Sequence, residues 1–192
     1  LNPGSRINSN NGNITLIGQG TAITPTGIDV NNATLTAGTG NIQLIGIGQT
    51  GTLFPSNGID IRNGSDIITT GGTITLDGTS GDGFSFNHGV YVRDLGTLIT
   101  SETGAILLRG LGAGTGTYNV GVVQLGGAEI ISTGTAPITL DGIGGQGTDN
   151  NSGVLLYGPT NLSSVDGPIL IRGRGAGTGN NNSGIDQVLA AR

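Results

Sequence analysis

The stretch GNITLIG at residues 12–18 begins a pattern that recurs along the whole chain. The six copies are GNITLIG (12–18), GNIQLIG (40–46), GTITLDG (72–78), GAILLRG (104–110), APITLDG (136–142) and GPILIRG (167–173). Their first isoleucines are 28, 32, 32, 32 and 31 residues apart. Within each copy apolar residues alternate with other residues, a periodicity of two that predicts a short β-strand rather than a helix.

Two further anchors repeat in step with this strand. One is a glycine followed by a β-branched residue, and its glycines are Gly27, Gly58, Gly89, Gly121, Gly153 and Gly184. The other is an aliphatic residue seven positions before each first-strand isoleucine, and its members are Ile7, Leu35, Ile67, Ile99, Ile131 and Leu162. We therefore expect a turn of constant length before the first strand and a variable, protruding loop after it.

Three short strands per repeat cannot bury an apolar face alone, but stacked repeats can, because each strand pairs with its equivalent in the next coil. The sequence thus predicts an all-β fold, a right-handed parallel β-helix with three short strands per ~31-residue coil and about six coils. Residues 1–192 are expected to form a single β-solenoid domain, either a segment of a longer rod or a filament protomer.

Composition excludes several classes of protein. The chain has 192 residues, 40 glycines and a net charge of -5, and only 10% of its residues are charged. It has no cysteine, which excludes disulfides and thiolate chemistry, and no apolar run is long enough to span a membrane. The acidic balance and scattered arginines argue against a nucleic-acid partner. No cofactor is predicted.

Stacked coils should align equivalent side chains in ladders. One column alternates in charge, and its members are Asp77, Arg109, Asp141 and Arg172. A second column stands two residues before the anchor glycine, and its members are Asn87, Asn119, Asn151 and Asn182. We interpret both as structural ladders, the second through amides that bond to the amides above and below. The alternative interpretation is a carbohydrate or ion site for the first column and a ligand-binding site for the second.

Some single positions in the repeats also allow two interpretations. Asp29 and Asp60 place like charges in adjacent coils, which indicates a weak cation site or, in our preferred interpretation, a hydrated exposed pair. Gln124 and Gln187 stand where other repeats have inward aliphatic residues, which indicates a bulge or an inward amide. One outward column has threonine only in every second coil, which argues against a flat ice-binding array.

The search for catalytic residues finds none. His88, the only histidine, stands in a loop and is expected to be solvated. Asp77 and Asp141 would lie two coils apart, a separation that suits a pair of glycosidase carboxylates, but Arg109 stands between them. Residues 144–149 match the start of a calcium nonapeptide, but the pattern occurs once and those sites need tandem copies, so we expect a glycine-rich loop and no metal site.

The repeats of form G-x-I-x-L-x-G-x-G, with G-[IV]-x-[VIL] between them, resemble the shafts of filamentous-haemagglutinin-type exoproteins, large bacterial surface proteins exported by two-partner secretion. Cyanobacterial surface proteins of similar composition also look alike. The resemblance covers nearly the whole chain and implies secretion to the bacterial cell surface, a β-helical rod, and adhesion to host or matrix glycans. It supplies no catalytic residues.

Three functional hypotheses follow. The first is a structural or adhesive extracellular rod that self-associates end to end through open β-edges, because the sixth repeat ends soon after its second strand. The second is a carbohydrate-binding or polysaccharide-cleaving β-helix. The third is an ion-binding or ice-binding solenoid. We favour the first and do not expect an enzyme.

Overall fold

The computed structural model describes residues 1–51 and 55–188, which form eighteen β-strands and contain no helix. The strands of the first three coils are β1 (Arg6–Asn8), β2 (Ile14–Gln19), β3 (Ile28–Asn31), β4 (Thr34–Thr36), β5 (Ile42–Ile47), β6 (Ile59–Arg62), β7 (Asp66–Ile68), β8 (Ile74–Thr79) and β9 (Val90–Arg93). Those of the last three are β10 (Leu98–Ser101), β11 (Ile106–Leu111), β12 (Val122–Leu125), β13 (Glu129–Ser132), β14 (Ile138–Ile143), β15 (Val154–Tyr157), β16 (Asn161–Ser164), β17 (Ile169–Arg174) and β18 (Ile185–Val188).

The strands form three parallel six-stranded sheets, each built from every third strand. Sheet 1 has the order β1-β4-β7-β10-β13-β16, sheet 2 the order β2-β5-β8-β11-β14-β17, and sheet 3 the order β3-β6-β9-β12-β15-β18. The predicted all-β solenoid of about six coils is therefore confirmed. No helix in the described residues is long and apolar enough to cross a membrane.

The core consists of aliphatic columns that run along the rod axis. In sheet 2 the isoleucines that open the strands pair in register, as Ile42 with Ile74 and Ile106 with Ile138, and all four are completely buried. Burying one such side chain stabilises the fold by about 1.5–3 kcal/mol. Because isoleucine occupies the same position in successive coils, each coil packs an equivalent apolar side chain against the next coil.

Glycine is required where the chain turns from sheet 2 toward sheet 3. A Cβ atom on Gly110 would lie 1.9 Å from the carbonyl oxygen of Gly121, and one on Gly121 would lie 2.3 Å from the amide nitrogen of Ile143. No side chain fits at those distances. The two glycine anchors thus mark close approaches of the backbone within one coil and between neighbouring coils.

The prediction that the inward aliphatic residue stands seven positions before each first-strand isoleucine is wrong in one coil. Ile130, not Ile131, pairs with Ile99 on one side and with Leu162 on the other, and Ile130 is completely buried. The turn from β13 to β14 holds one more residue than the equivalent turns, so its length is not constant. A small residue two positions after the inward aliphatic residue gives the correct register, since Ser132 pairs with Ser101 and both are buried.

Gln124 is an inward amide and not a bulge. It pairs with Val92 and Leu156 in the neighbouring coils and is completely buried. Its Nε2 donates to the carbonyl oxygens of Ala128 and Asn161, both at 2.9 Å, while its Oε1 has no partner in the described residues. The amide therefore ties the corner between sheets 3 and 1 across two coils.

Candidate functional site

The acid–base column lies on the outer face of sheet 2, in the predicted register. Arg109 pairs with Asp77 on one side and with Asp141 on the other, and Asp141 pairs with Arg172. Arg109 Nη1 lies 3.4 Å from Asp77 Oδ1, the one ion pair that these four side chains form in the described residues. The Arg109 side chain is 57% exposed, so this pair contributes less than about 1 kcal/mol.

The asparagine ladder is also present, and three of its four members are completely buried. Asn119 Oδ1 accepts the backbone N–H of Asn87 at 3.1 Å, and Asn151 Oδ1 accepts that of Asn119 at 2.9 Å. The series continues at both ends, where Asn182 accepts from Asn151 and Asn87 accepts from Ser56. Each asparagine thus satisfies a buried backbone donor of the preceding coil.

The predicted bonding between amides occurs at one step of the ladder. Asn87 Nδ2 donates to Asn119 Oδ1 at 2.9 Å. The next two amides instead donate to loop carbonyls, Asn119 to Phe84 and Asn151 to Gly116, both at 3.1 Å. The ladder therefore mainly pins the variable loops to the rod, because side chain-to-backbone bonds predominate.

The prediction that Asp29 and Asp60 form a hydrated pair is wrong. Arg62 donates to both carboxylate oxygens of Asp29, with Nε–Oδ1 at 2.9 Å and Nη2–Oδ2 at 2.8 Å. Arg93 donates in the same bidentate way to Asp60, both bonds at 3.1 Å. Each arginine belongs to the coil after its aspartate, and Arg62 Nε also lies 3.9 Å from Asp60. The four side chains form a continuous network on the outer face of sheet 3.

Asp60 is the most buried acid of this network, and its side chain is only 9% exposed. Burial raises the pKa of its carboxyl group above 3.8, although the hydrogen bond from Arg93 opposes that shift. The hydrogen bond to Asp29 raises the pKa of Arg62. The network therefore holds fixed, largely paired charges at a protein surface.

The prediction that His88 is solvated is also wrong. The side chain is buried, and burial, together with the positive charge of Arg93, lowers the pKa of His88 to about 3. Its Nδ1 accepts a hydrogen bond from the backbone N–H of Val120 at 3.4 Å, so the proton of the neutral ring is on Nε2. The ring packs edge-on against Tyr91, with centroids 4.7 Å apart.

Aromatic side chains are concentrated beside this network, which the sequence analysis missed. No aromatic residue of the described chain belongs to the core. The described aromatic residues lie on sheet 3 or on the loops that lead to it, and they are Phe84, Phe86, Tyr91, Tyr118 and Tyr157. Tyr91 is held between His88 and Arg93, whose guanidinium carbon lies 5.0 Å from the ring centroid.

Phe86 and Tyr118 occupy an unfavourable backbone conformation. Their φ angles are 60° and 56°, in the left-handed region that bulky side chains rarely adopt. The equivalent positions in the next two coils are Asn150 and Asn181, at φ angles of 57° and 56°, and asparagine suits that region. The signal was present in the sequence, as an aromatic residue directly before the ladder asparagine in two repeats where the later repeats have asparagine.

These groups line a cavity of about 400 Å³ on the outer face of sheet 3. Its walls are formed by Thr26, Pro55, Asn57, Asp60, Arg62, Phe86, His88, Tyr91 and Arg93. A smaller cavity of about 240 Å³ includes Tyr118 and Tyr157, so the two stacked rings of Phe86 and Tyr118 each line a different cavity. The larger cavity combines apolar ring surface with polar groups in fixed positions, the composition typical of small-ligand sites.

The described residues contain no group of three or more acidic or histidine side chains that could hold a metal ion. In the glycine-rich loop at 144–149, Asp149 Oδ1 accepts the backbone N–H of Asn180 in the following coil. That carboxylate therefore serves as a loop contact within the solenoid.

The comparisons with known proteins leave the geometry as the basis for any functional conclusion. No protein-family model, no curated protein and no solved structure matches this chain.

Proposed function

We propose that this chain is a structural and adhesive rod on the outside of a bacterial cell, with coils that stack through their β-edges. The observation that carries the proposal is the coil-to-coil register, in which every described strand pairs with its equivalents in the neighbouring coils. Within the described residues, strands β16, β17 and β18 of the last coil have such a partner on one side. Their inward side chains, such as Ile169 and Ile185, are 42% and 48% exposed, whereas the equivalent residues one coil earlier are completely buried.

Such a surface suits a further coil of the same kind. It presents unpaired backbone donors and acceptors in three short rows, around an apolar centre formed by Leu162, Ile171 and Ile185. An open edge of this kind pairs readily with another strand. If a second copy stacks head to tail, Ile171 of one copy would continue the column that begins at Leu16 of the next. Repetition of that contact builds a filament.

Electron microscopy of the full chain over a concentration series tests this proposal. We expect filaments one coil wide that lengthen with concentration. Ile171→Lys places a charge in the inward column of the last coil and should abolish them, while Leu170→Lys changes the outward neighbour and should not. Single short rods at every concentration, or equal behaviour of both variants, would overturn self-association.

We extend the proposal to the class of protein. The repeat pattern and the aliphatic solenoid support a place among filamentous-haemagglutinin-type surface exoproteins, in which the rod carries adhesive function away from the cell. Surface display on bacteria is tested by protease shaving of intact cells, which should release fragments of this chain. A chain protected until the cells are lysed would overturn the proposed location.

A second candidate is carbohydrate binding, and the aromatic cavity on sheet 3 favours it. Cleavage of polysaccharide is less well supported, since Arg109 stands between Asp77 and Asp141 and forms an ion pair with the first. We expect no release of reducing ends from acidic or neutral polysaccharides. Cleavage that is lost in Asp77→Ala or Asp141→Ala would overturn that expectation.

A further inference from the structure

We infer that the cavity on the outer face of sheet 3 binds a neutral pyranose unit of an oligosaccharide, with Phe86 as its stacking platform. The inference deepens the second candidate function and is independent of filament formation. The cavity of about 400 Å³ suits one or two sugar rings and is open along one side of the rod.

The backbone of Phe86 gives the first reason. A phenylalanine at a φ angle of 60° is strained relative to a residue that suits the left-handed region. The later coils use asparagine at the same position, so the fold itself does not demand an aromatic ring there. Residue Phe86 is 51% exposed and lines the cavity. An exposed apolar face held at a strained position suits the C–H face of a pyranose ring.

The polar groups that line the same cavity give the second reason. Asp60 accepts two hydrogen bonds from Arg93 and keeps further lone pairs, and Arg62 and Arg93 each use two of five N–H donors on an aspartate. His88 adds an Nε2–H donor, because its Nδ1 is the acceptor. Sugar hydroxyl groups both donate and accept hydrogen bonds. The ion pairs hold the unused N–H donors of the arginines and the unused lone pairs of Asp60 in fixed positions, which suits such hydroxyl groups.

The charge of the cavity selects the ligand class. The arginines Arg62 and Arg93 face three carboxylates, those of Asp29, Asp60 and Asp94, with Arg93 Nη1 3.6 Å from Asp94. No excess positive charge is left for a uronate or a sulfate group. The arrangement therefore favours an uncharged saccharide over an acidic one.

Rigidity gives the last reason. Tyr91 is fixed between the ring of His88 and the guanidinium of Arg93, and Phe86 is fixed by its parallel stack on Tyr118. A site whose walls are already ordered loses little conformational entropy when a ligand binds.

A nuclear magnetic resonance titration of the full chain, observed through its aromatic ring signals, tests the inference. The probes are cellohexaose, mannohexaose and xylohexaose, with hexagalacturonate as the anionic comparison. We expect at least one neutral hexasaccharide to shift the signals of Phe86 and Tyr91 saturably. Phe86→Asn, which takes the residue of the later coils, should weaken that binding at least tenfold, and Phe84→Asn should leave it within twofold.

Three outcomes would overturn the inference. They are no shift with any neutral probe, a response to hexagalacturonate alone, and an equal loss in both phenylalanine variants. Filament formation by Phe86→Asn, followed by electron microscopy, separates this result from the structural proposal, because the substituted side chain is far from the strands of the last coil.

Discussion

The rings of Phe86 and Tyr118 stack face to face between adjacent coils, with centroids 5.2 Å apart and planes inclined by 1°. Both residues have left-handed backbone, as do Asn150 and Asn181 at the equivalent positions. The stack and the strain oppose each other. A stacked aromatic pair contributes about 0.5–1.5 kcal/mol, and the strain at one bulky residue costs a similar amount.

The first prediction follows from that balance. We expect Phe86→Asn to change the free energy of unfolding by less than about 1 kcal/mol, because the lost stack is offset by relieved strain. A double-mutant cycle with Tyr118→Asn should give a coupling energy of about 0.5–1.5 kcal/mol by urea denaturation. A loss above about 3 kcal/mol for Phe86→Asn would contradict a surface role and indicate that the ring is structural.

The second prediction concerns the asparagine ladder. Asn119→Ala removes the acceptor for the buried N–H of Asn87 and the donor for the carbonyl of Phe84. We expect a loss of about 2–3 kcal/mol, because a buried polar group without a partner costs its full desolvation. Urea denaturation measures it.

Asn182→Ala is the matched control for the ladder. It removes the same acceptor from Asn151, but Asn182 is only partly buried and water can replace its amide. We expect a loss below about 1 kcal/mol. Equal losses in the two variants would show that burial does not set the strength of the ladder.

The fold could be predicted from the sequence because the coils stack. Residues at equivalent positions in successive repeats therefore lie beside each other in neighbouring coils. Columns such as Asp77 to Arg172 follow directly from that alignment. The ion pairs of Asp60 and Asp29 did not follow, because each joins two different columns, one coil apart and 33 residues along the chain. A single column shows only the like charges of the two aspartates.

The burial of His88 could have been predicted from the repeat. The loops before sheet 3 vary in length and composition, but their last residue always stands directly before the anchor glycine. His88 is one residue before the anchor glycine, where the next coil has Val120, and both side chains are buried. That equivalence was available in the sequence and would have indicated a buried position.

The third prediction uses that equivalence. The pKa of His88 is lowered from 6.5 to about 3, so the unfolded chain binds a proton more readily than the folded one below pH 6.5. Stability due to His88 is present above pH 6.5 and is lost as the pH falls toward 3. At pH 4.5 the loss should be about 2–3 kcal/mol relative to pH 7.

His88→Val isolates this effect, because valine occupies the next coil at the same position. We expect the wild type to lose about 2–3 kcal/mol more than the variant between pH 7 and pH 4.5, measured by urea denaturation at each pH. The comparison cancels the contributions of the carboxylates, since both proteins contain them. Parallel pH profiles for the two proteins would mean that His88 is accessible to protons in the folded state.

The fourth prediction concerns the buried end of the charge network. Arg93→Leu copies Leu125, its partner in the next coil, and leaves the carboxylate of Asp60 without its bidentate donor. We expect a loss of about 2–4 kcal/mol at pH 7, since the remaining charge is buried and incompletely paired. Urea denaturation at pH 7 and pH 4 measures it.

The pH dependence of Arg93→Leu has a definite sign. The pKa of Asp60 is already raised by burial, and removal of Arg93 raises it further, so the folded variant favours the protonated acid. The deficit should therefore shrink from pH 7 to pH 4, because protonation of Asp60 becomes more favourable as the pH falls. A deficit of the same size at both pH values would show that Arg93 stabilises the fold by packing against Tyr91 rather than through the Asp60 carboxylate.

A double variant separates pairing from burial in the same network. Asp60→Val with Arg93→Leu takes the residues that the fourth coil has at these two positions, Val123 and Leu125, so this face already accommodates each side chain singly. We expect the double variant to recover most of the stability that Arg93→Leu loses, because no buried charge is left unpaired. If the inferred saccharide site is correct, the same variant should lose binding while it remains folded, since a well-packed aliphatic face offers no donors or acceptors for hydroxyl groups. Recovery of stability with unchanged saccharide binding would assign the network a structural role alone.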